Sequence, residues 1–400
     1  MVMDFLFDKF QQRLSWVDTR FIRSLMDEIN WDARLIGIKG PRGVGKTTLL
    51  LQYIKLNLSK DIKTALYVSL DNIWFSQHSL SDLADNFVKK GGKYLFLDEV
   101  HRYPDWSQEL KNLYDDYPGL HIVFTGSSLL EILNARVDLS RRAIIYKMQG
   151  LSYREFLNMT LETDFPVFSL ETILDRHMEL SALVTREVKP LQHFGTYLKS
   201  GYYPFFRDLP ALYFSRLEEV VNLILDIELP VLRGVEPAYI FKIRQLLQIL
   251  AESVPFLPNI SKLSERIGIN RITLLTYLSY LNETNLISIL YKDSRGVSRL
   301  QKPDKIFLDN TNLAYTLSPQ NVNIGSVRET FFANQLRFQS LVEYTDQGDF
   351  RVEGEHFFEI GGKNKNSSQL PNIDKAWIAS DNIEYGHGNK IPLWIFGFLY

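Results

Sequence analysis

The stretch LIGIKGPRGVGKTT, residues 35–48, decides the fold of this chain. Its first four residues form an apolar run typical of a buried strand, and residues 40–47 match the pattern G-x-x-x-x-G-K-[ST]. Glycines in such a loop let successive backbone N–H groups point at an anion, and the helix that follows presents its free N-terminal amides to the same anion. The order strand, glycine-rich loop, helix therefore predicts a phosphate-binding loop.

Each polar residue of this loop has an expected role. Lys46 is expected to reach the β- and γ-phosphates of a nucleotide, and the Thr47 hydroxyl to ligate Mg²⁺. A glycine turn that matches by accident is the alternative, which the strand before it and the helix after it disfavour. The predicted nucleotide-binding residues are Gly40, Pro41, Arg42, Gly43, Val44, Gly45, Lys46, Thr47 and Thr48.

A second apolar strand, YLFLDE at residues 94–99, ends in two acids. The carboxyl ends of parallel strands meet at one edge of a sheet, so these acids are expected beside the loop. Asp98 would hold Mg²⁺, directly or through water, and Glu99 would act as the general base toward the attacking water. Taken alone, two acids after a strand are also common as solvated turn residues.

Two further groups are candidates for the same site. The strand IVFTGSS, residues 122–128, ends in hydroxyls, and Thr125 or Ser127 could bond the γ-phosphate or the water, although Ser is equally a helix N-cap. Arg141 and Arg142 could add a guanidinium to the transferring phosphoryl group, in cis or in trans across a subunit interface. The alternative for the arginines is a solvated basic pair.

The chain around the loop alternates short apolar runs with helical stretches, which favours an α/β fold with a parallel sheet covered on both faces. Residues 1–32 precede the first run as an amphipathic helical lead-in, with Phe5, Phe10 and Leu14 at near-helical spacing. After Tyr153 the strands stop and helical patterns follow. The five apolar runs are LIGIKG, TALYVSLD, KYLFLDEV, LHIVFTGSS and AIIYKMQG.

Composition excludes several classes of function. The chain of 400 residues has no cysteine, so disulfides, thiolate metal sites and a cysteine nucleophile are excluded, and any metal must be held mainly by oxygen. Neither a signal peptide nor an apolar run long enough for a membrane helix stands out, so a cytoplasmic protein without membrane contact is expected. The net charge of −2 divides into +5 over residues 240–305 (ten Lys and Arg, five Asp and Glu) and −7 elsewhere.

That basic segment contains a helix-turn-helix pattern between residues 259 and 290. Ser261 is expected to cap one short helix, Gly268 and Asn270 to form a turn, and a second helix to run from Arg271 to Leu281, before a flanking hairpin. Contact with duplex DNA is one interpretation, and a structural lid or protein contact is the other. The expected core is Leu263, Ile267, Ile272, Leu275, Leu278 and Leu281, and the candidate DNA contacts are Arg271, Thr273, Thr276, Arg295 and Arg299.

The motifs GPRGVGKTTLL, YLFLDEVHRYPDW, FTGSS and LSRRA followed by LSYREFL resemble the AAA-type ATPases. They are most similar to a prokaryotic group that joins an AAA core and a winged helix to a C-terminal restriction-endonuclease-like domain, and the resemblance covers nearly the whole chain. The sequence departs from the group at Arg141, which stands where a glycine is typical, while Arg142 matches the group's arginine. The resemblance implies ATP binding and hydrolysis.

The resemblance also implies a domain plan: a nucleotide-binding core with its lead-in at 1–152, a helical lid at 153–237, a winged helix at 238–320 and a small α+β endonuclease-like domain at 321–400. The last would need an Asp, a Glu and a Lys two residues after the Glu. The counterparts are Asp349, Glu359 and a supporting Glu329, but Gly361 stands where the Lys belongs and Lys363 lies two residues further. We expect nuclease chemistry to be lost and the domain to be structural or to bind a partner, with its sheet completed by the strand-like end GHGNKIPLWIFGFLY.

The predicted function is therefore Mg²⁺-dependent hydrolysis of ATP to ADP and phosphate, coupled to motion of the winged helix and C-terminal domain. A nucleotide-gated DNA-binding regulator with little turnover is the main alternative, and a residual Mg²⁺-dependent nuclease is the other. Duplex DNA through residues 240–305, a protein partner and further copies of the chain are the partners left open.

Overall fold

The computed structural model describes residues 2–126, 139, 141–253, 258–292, 302–366 and 375–400. The chain divides into two compact units, Met1–Gly150 and Leu151–Tyr400. The finer predicted boundaries, at 237 and 320, stay predictions.

The first unit contains a five-stranded parallel sheet in the order β2-β3-β4-β1-β5. Each of the five apolar runs forms one strand, as the alternation of apolar and helical segments predicts. Four of the five strands are almost wholly buried, which is typical of a sheet with helices on both faces. The strands are β1 (Leu35–Lys39), β2 (Ala65–Ser69), β3 (Tyr94–Asp98), β4 (His121–Gly126) and β5 (Ile144–Lys147).

Five α-helices accompany this sheet among the described residues. The predicted lead-in helix is confirmed and Phe10 is buried, but its buried neighbour is Leu6 and not Phe5, which is 48% exposed. The correction follows from register, because Leu6 and Phe10 are four residues apart and share one helix face, whereas Phe5 lies beside it. The helices are α1 (Val2–Trp16), α2 (Leu25–Glu28), α3 (Lys46–Asn57), α4 (Leu80–Lys89) and α5 (Trp106–Asp116).

The sheet order brings the predicted site residues together. β1 lies beside β4, and β4 lies beside β3, with all carboxyl ends at one edge. The loop after β1, Asp98 at the end of β3 and Thr125 near the end of β4 therefore converge, although they are far apart in sequence.

The described part of the second unit contains ten α-helices, eight before residue 287 and two between residues 311 and 336, together with 3-10 turns and one π-helical segment at Ile224–Glu228. Its α-helices among the described residues are α6 (Tyr153–Leu161), α7 (Leu170–Thr185), α8 (Pro190–Ser200), α9 (Tyr213–Leu223), α10 (Leu229–Arg233), α11 (Pro237–Ser253), α12 (Ile260–Ile267), α13 (Arg271–Glu283), α14 (Thr311–Leu317) and α15 (Ile324–Leu336).

The helix-turn-helix pattern forms α12 and α13, followed by an antiparallel hairpin of β6 (Ile287–Leu290) and β7 (Lys305–Leu308). Two details of the prediction are wrong. Asn259, and not Ser261, is the N-cap of α12, because its side chain accepts the backbone N–H of Lys262. Ile272 is 79% exposed and Leu274 fills the core instead, because the buried face of α13 is formed by Leu274, Tyr277, Leu278 and Leu281, and Ile272 lies about 200° around the helix from Leu274.

The second sheet has the order β12-β11-β10-β9-β8, and apolar side chains of α15 share a buried core with it. The end of the chain is buried as predicted, but it is a strand only at its start, because Leu393–Phe398 form a 3-10 helix. The strands are β8 (Val342–Glu343), β9 (Phe350–Val352), β10 (His356–Gly361), β11 (Ala376–Ser380) and β12 (Lys390–Pro392).

Among the described residues, no helix combines the length and the apolarity needed to cross a bilayer.

Candidate nucleotide-binding site

The loop between β1 and α3 has the backbone that its glycines predict. Gly43 and Gly45 have φ angles of 82° and 100°, a region that residues with side chains rarely adopt. A Cβ on Gly40 would lie 2.0 Å from the carbonyl oxygen of Met148, so only glycine fits there. The loop therefore curls tightly ahead of the N-terminus of α3.

Lys46, the first residue of α3, is buried, and its ammonium group lies within the curl. Its Nζ donates to the carbonyl oxygens of Gly40 and Pro41, at 2.9 and 2.8 Å. These bonds hold the cation at the concave side of the loop, where a phosphate would meet it.

Arg23 supports the loop from outside and is missing from the sequence-based prediction. It is buried, and its guanidinium donates to the carbonyl oxygen of Val44 at 2.7 Å and to those of Gln149 and Gly150 at 2.8 and 3.0 Å. One planar group with several donors thus ties the loop to the segment after β5. A lone arginine between two helices carries no sequence signal for this role.

Asp98 is the centre of a buried hydrogen-bond cluster. Its Oδ2 accepts the Thr47 hydroxyl at 2.6 Å and the Tyr67 hydroxyl at 2.7 Å, and its Oδ1 accepts the Thr125 hydroxyl. Thr47 therefore donates its hydroxyl hydrogen to Asp98, and its oxygen lone pairs can accept from or coordinate another partner. A hydroxyl oxygen beside a carboxylate is the donor set that Mg²⁺ prefers, so these residues fit the ion.

Glu99 occupies a rarely populated backbone conformation, with φ 55° and ψ 42°. The Thr125 hydroxyl oxygen accepts the N–H of Glu99 at 3.1 Å and holds that conformation. Arg42 and His101 lie near its carboxylate, at 3.8 and 3.4 Å from Oε2. Backbone strain of this kind persists only where surrounding contacts enforce it, and it is concentrated at functional sites.

His101, on the turn after Glu99, is a neutral base in this setting. Burial, reinforced by the positive charges of Arg102, Lys46 and Arg42 and opposed by Asp71, lowers its pKa to about 3. At neutral pH the contact with Glu99 is therefore one between a neutral ring and a carboxylate.

This depressed pKa predicts a loss of stability in acid. Below the usual pKa of 6.5 the unfolded chain protonates His101 and the folded chain does not, so stability present at pH 7.5 falls as the pH approaches 5. We expect His101 to contribute about 2 kcal/mol to that fall. Thermal unfolding of wild type and His101→Gln at both pH values measures it: the variant should lose less stability, and equal losses would contradict the assignment.

Not all predicted residues reach this site. Thr125 is fully buried, and its hydroxyl is engaged with Asp98 and the backbone of Glu99. Arg142 instead forms an ion pair with Asp115 of α5, at 3.0 Å, and Arg141 is exposed with a φ of 71°. Ser127 lies outside the described residues.

Three of the five candidate DNA contacts lie within the described residues. Arg271 is exposed at the start of α13, and the N–H of Thr273 is bound by the Asn270 side chain as part of the helix cap. Thr276 is half-buried and its hydroxyl donates to the carbonyl of Ile272. Arg295 and Arg299 lie outside the described residues.

The nuclease-like acids gather in the second unit, but with a different lysine from the one predicted. The Lys365 Nζ, and not that of Lys363, lies 2.8 Å from Oε1 of the fully buried Glu359. A Cβ on Gly361 would lie 2.6 Å from Cγ of Lys365, so the glycine leaves room for this lysine to reach the acid. Lys363, the displaced counterpart named from the sequence, is therefore not the lysine that contacts Glu359.

The other two acids of this cluster are also engaged. Asp349 accepts the N–H of Ile360 at 2.7 Å, and Lys305 lies 2.6 Å from Glu329. Burial raises the pKa of Glu329, and the charge of Lys305 opposes that rise. The described residues contain no group of three or more His, Asp or Glu side chains arranged to hold a metal ion.

Comparisons with known families cover the chain in two pieces. Residues 32–157 match a family model described as an AAA domain, and residues 191–323 match one described as a domain of unknown function. No curated protein matches the sequence.

Several solved structures match this chain at low sequence identity. The Walker-type ATPase of Pyrococcus abyssi has 15% identity and a TM-score of 0.42, and the match covers 74% of this chain and 95% of that one. The Aeropyrum pernix ORC1 protein in complex with DNA has 14% identity and a TM-score of 0.32, over 78% and 92% of the two chains. AMPPCP-bound DnaA from Aquifex aeolicus has 13% identity and a TM-score of 0.29, over 64% and 84%.

The family match and the sheet agree for one part of the chain: residues 32–157 match an AAA domain, and the first unit has the α/β fold of the P-loop AAA type.

Proposed function

We propose that the first unit binds ATP together with Mg²⁺ and hydrolyses it to ADP and phosphate. The observation that carries this proposal is the Thr47–Asp98 hydrogen bond directly after the loop, with Glu99 adjoining it in an enforced backbone conformation. The loop amides and Lys46 would bind the β- and γ-phosphates. The match of residues 32–157 to an AAA domain supports nucleotide binding at the level of the family.

The hydrogen bonds of Thr47, Asp98 and Glu99 support a separate proposed role for each residue. Mg²⁺, when bound, neutralises charge on the β- and γ-phosphate oxygens. Thr47 would offer its oxygen to the ion, and Asp98 would orient Thr47 and the water around the ion. Glu99 would orient the attacking water and accept its proton as the new bond to phosphorus forms and the bond to the leaving oxygen breaks.

Phosphate release tests this proposal. Wild type with ATP and Mg²⁺ should release phosphate, and removing Mg²⁺ with a chelator should stop the release. Release that is no faster than in a Lys46→Ala preparation purified in the same way would contradict the proposal.

DNA binding by the segment α11 to β7 is the second candidate function. The observation that favours it is the pair α12–α13 followed by a two-stranded hairpin, with Arg271 exposed at the start of α13. In winged-helix proteins the second of the two helices enters the major groove by its N-terminal residues. We propose that nucleotide binding in the first unit changes the exposure of this segment, so that hydrolysis is coupled to its motion.

For duplex DNA we expect weak, salt-dependent binding that Arg271 strengthens. The anisotropy of a labelled duplex, measured between 50 and 200 mM salt, gives the slope of the logarithm of the binding constant against the logarithm of the salt concentration. The magnitude of this salt slope should fall by about 1 in Arg271→Ala. Arg186→Ala, an exposed arginine in the same unit, is the matched control and should leave the slope unchanged. Absence of binding at 50 mM salt, with ATP or with ADP present, would contradict this candidate.

For the nuclease-like cluster we infer a structural role. Lys365 and Lys305 place ammonium groups against Glu359 and Glu329, where a nuclease would need open carboxylates for a metal. Supercoiled plasmid incubated with the protein, Mg²⁺ and ATP should therefore stay intact. A nick that disappears in Glu359→Ala would show that the site is active.

A further inference from the structure

Two residues outside the nucleotide-binding loop are connected to Asp98. The Tyr67 hydroxyl of β2 donates to Asp98 Oδ2 at 2.7 Å, and the Arg13 guanidinium of α1 donates to the Tyr67 hydroxyl at 2.9 Å. The guanidinium also lies 5.5 Å from the centre of the Tyr67 ring. One cation of α1 is thus two hydrogen bonds away from the acid that orients Thr47.

The directions of these bonds are fixed by proton counting. Arginine can only donate, so the single phenolic proton of Tyr67 is free to go to Asp98. Tyr67 therefore presents its hydroxyl as a donor to the carboxylate.

This donor limits what remains of Asp98 for other partners. A carboxylate has about four good acceptor positions. Thr47 and Tyr67 take two on Oδ2, and Thr125 takes one on Oδ1. Tyr67 thereby directs any further donor, such as a water molecule on a metal, to Oδ1.

Helix α1 and the segment after it contact elements that carry the site. It packs against β2 and α3, with Leu6 and Phe10 buried. The segment after it is bonded to α3: Gln52 donates to the carbonyl oxygens of Asp18 and Phe21 at 2.7 and 2.8 Å, and Lys55 donates to that of Val17 at 2.7 Å. Docking of α1 and the geometry of Asp98 are therefore mechanically linked.

A buried tyrosine also needs a hydrogen-bond partner for purely structural reasons, and any backbone carbonyl would serve. Here the partner is the same carboxylate oxygen that binds Thr47, and the phenol in turn is bound by a cation of α1. We propose that Tyr67 and Arg13 are positioning residues of the metal site, through which docking of α1 and binding of Mg²⁺–ATP strengthen each other. This inference rests on the proposed ATP site and adds a regulatory element to it.

Two measurements distinguish positioning from a structural role. The first is a titration with Mg²⁺ of protein loaded with a fluorescent ATP analogue, in wild type, Tyr67→Phe and Arg13→Met. The fluorescence of the bound analogue reports Mg²⁺ binding. Tyr67→Phe should raise the half-saturating Mg²⁺ concentration about 3- to 10-fold and Arg13→Met about 2- to 5-fold, while binding of the analogue without Mg²⁺ stays within twofold. Lys9→Met is the matched control, because Lys9 lines the same small cleft as Arg13 but lies over Phe5 and should leave the titration unchanged.

The second measurement does not depend on turnover. Amide hydrogen exchange over residues 2–16 should slow when Mg²⁺ is added to ATP-loaded Glu99→Gln protein, since coupling between two sites is reciprocal. Adding Tyr67→Phe should remove that slowing. Tyr67→Phe keeps the ring, and an unchanged thermal midpoint would show that the variant is folded.

The outcomes separate this inference from the proposed function. If the analogue does not bind wild type at all, the ATP site itself is wrong. A second outcome is that the analogue binds wild type and Mg²⁺ strengthens that binding, but the Tyr67→Phe titration and the hydrogen exchange of α1 match wild type. In that case the positioning role is overturned while the ATP site stands. A shift in Lys9→Met as large as that in Arg13→Met would also overturn it, because the effect would then belong to charge near the cleft and not to the hydrogen bond.

Discussion

Replacing Lys46 by alanine should weaken ATP binding at least 100-fold, which corresponds to about 3 kcal/mol. Lys46 is buried, and its ammonium group is bound by two carbonyl oxygens on the concave side of the loop. Charge-assisted hydrogen bonds to phosphate are the strongest kind available to a side chain. Alanine removes that charge and leaves the carbonyls of Gly40 and Pro41 facing a negative phosphate.

Calorimetric titration with ATP and Mg²⁺ measures this effect. Lys60→Ala is the matched control: this exposed lysine lies just beyond α3 and should bind ATP as wild type does. The thermal midpoint of Lys46→Ala without nucleotide shows whether the loop still folds. Affinity within tenfold of wild type in a folded variant would contradict the role of Lys46.

Glu99→Gln should retain ATP while reducing turnover by 100- to 10,000-fold. Glutamine has nearly the same shape as glutamate and lacks the basic carboxylate, and general base catalysis contributes about 10²- to 10⁴-fold to a rate. The backbone hydrogen bond from Glu99 to Thr125 does not involve the side chain, so the local conformation should survive the substitution. Binding is expected within threefold of wild type.

Single-turnover phosphate release, together with the ATP titration, separates the two effects. Glu109→Gln is the control, because this acid on α5 accepts bonds from Ser81 and Tyr103 and should leave turnover within twofold of wild type. Normal hydrolysis by Glu99→Gln would refute the proposed mechanism, and loss of binding would show that the acid supports the loop and not the chemistry.

The core of the fold could be predicted because its signals are local. Five apolar runs give five strands, and the loop pattern places Lys46 and Thr47 at the start of a helix. Asp98 could be assigned as well, because the carboxyl ends of parallel strands share one edge. These inferences require only the sequence neighbours of each residue and one general rule of sheet topology.

The features that could not be predicted depend on the lateral order of the strands, on which face of a helix is buried and on how far a long side chain extends. Tyr67 is at the site only because β2 lies beside β3, and nothing in ALYVS specifies that neighbour. The exposure of Ile272 depends on which face of α13 is buried, and that face is set by the neighbouring elements and not by where the helix begins. Lys365 replaces Lys363 at Glu359 because a long side chain crosses the space left by Gly361.

The left-handed backbone at Glu99 has a consequence for which mutations position 99 can accept. Valine, isoleucine and threonine are unsuited to a positive φ, whereas glycine, asparagine and aspartate adopt it more readily. A mutational scan of position 99 should therefore be limited first by the backbone conformation and then by the carboxylate that the proposed general base requires. Asp98 ends a regular strand and has no such backbone restriction, so only the chemistry of its side chain should limit substitution there. The residue types accepted at positions 98 and 99 should therefore be different.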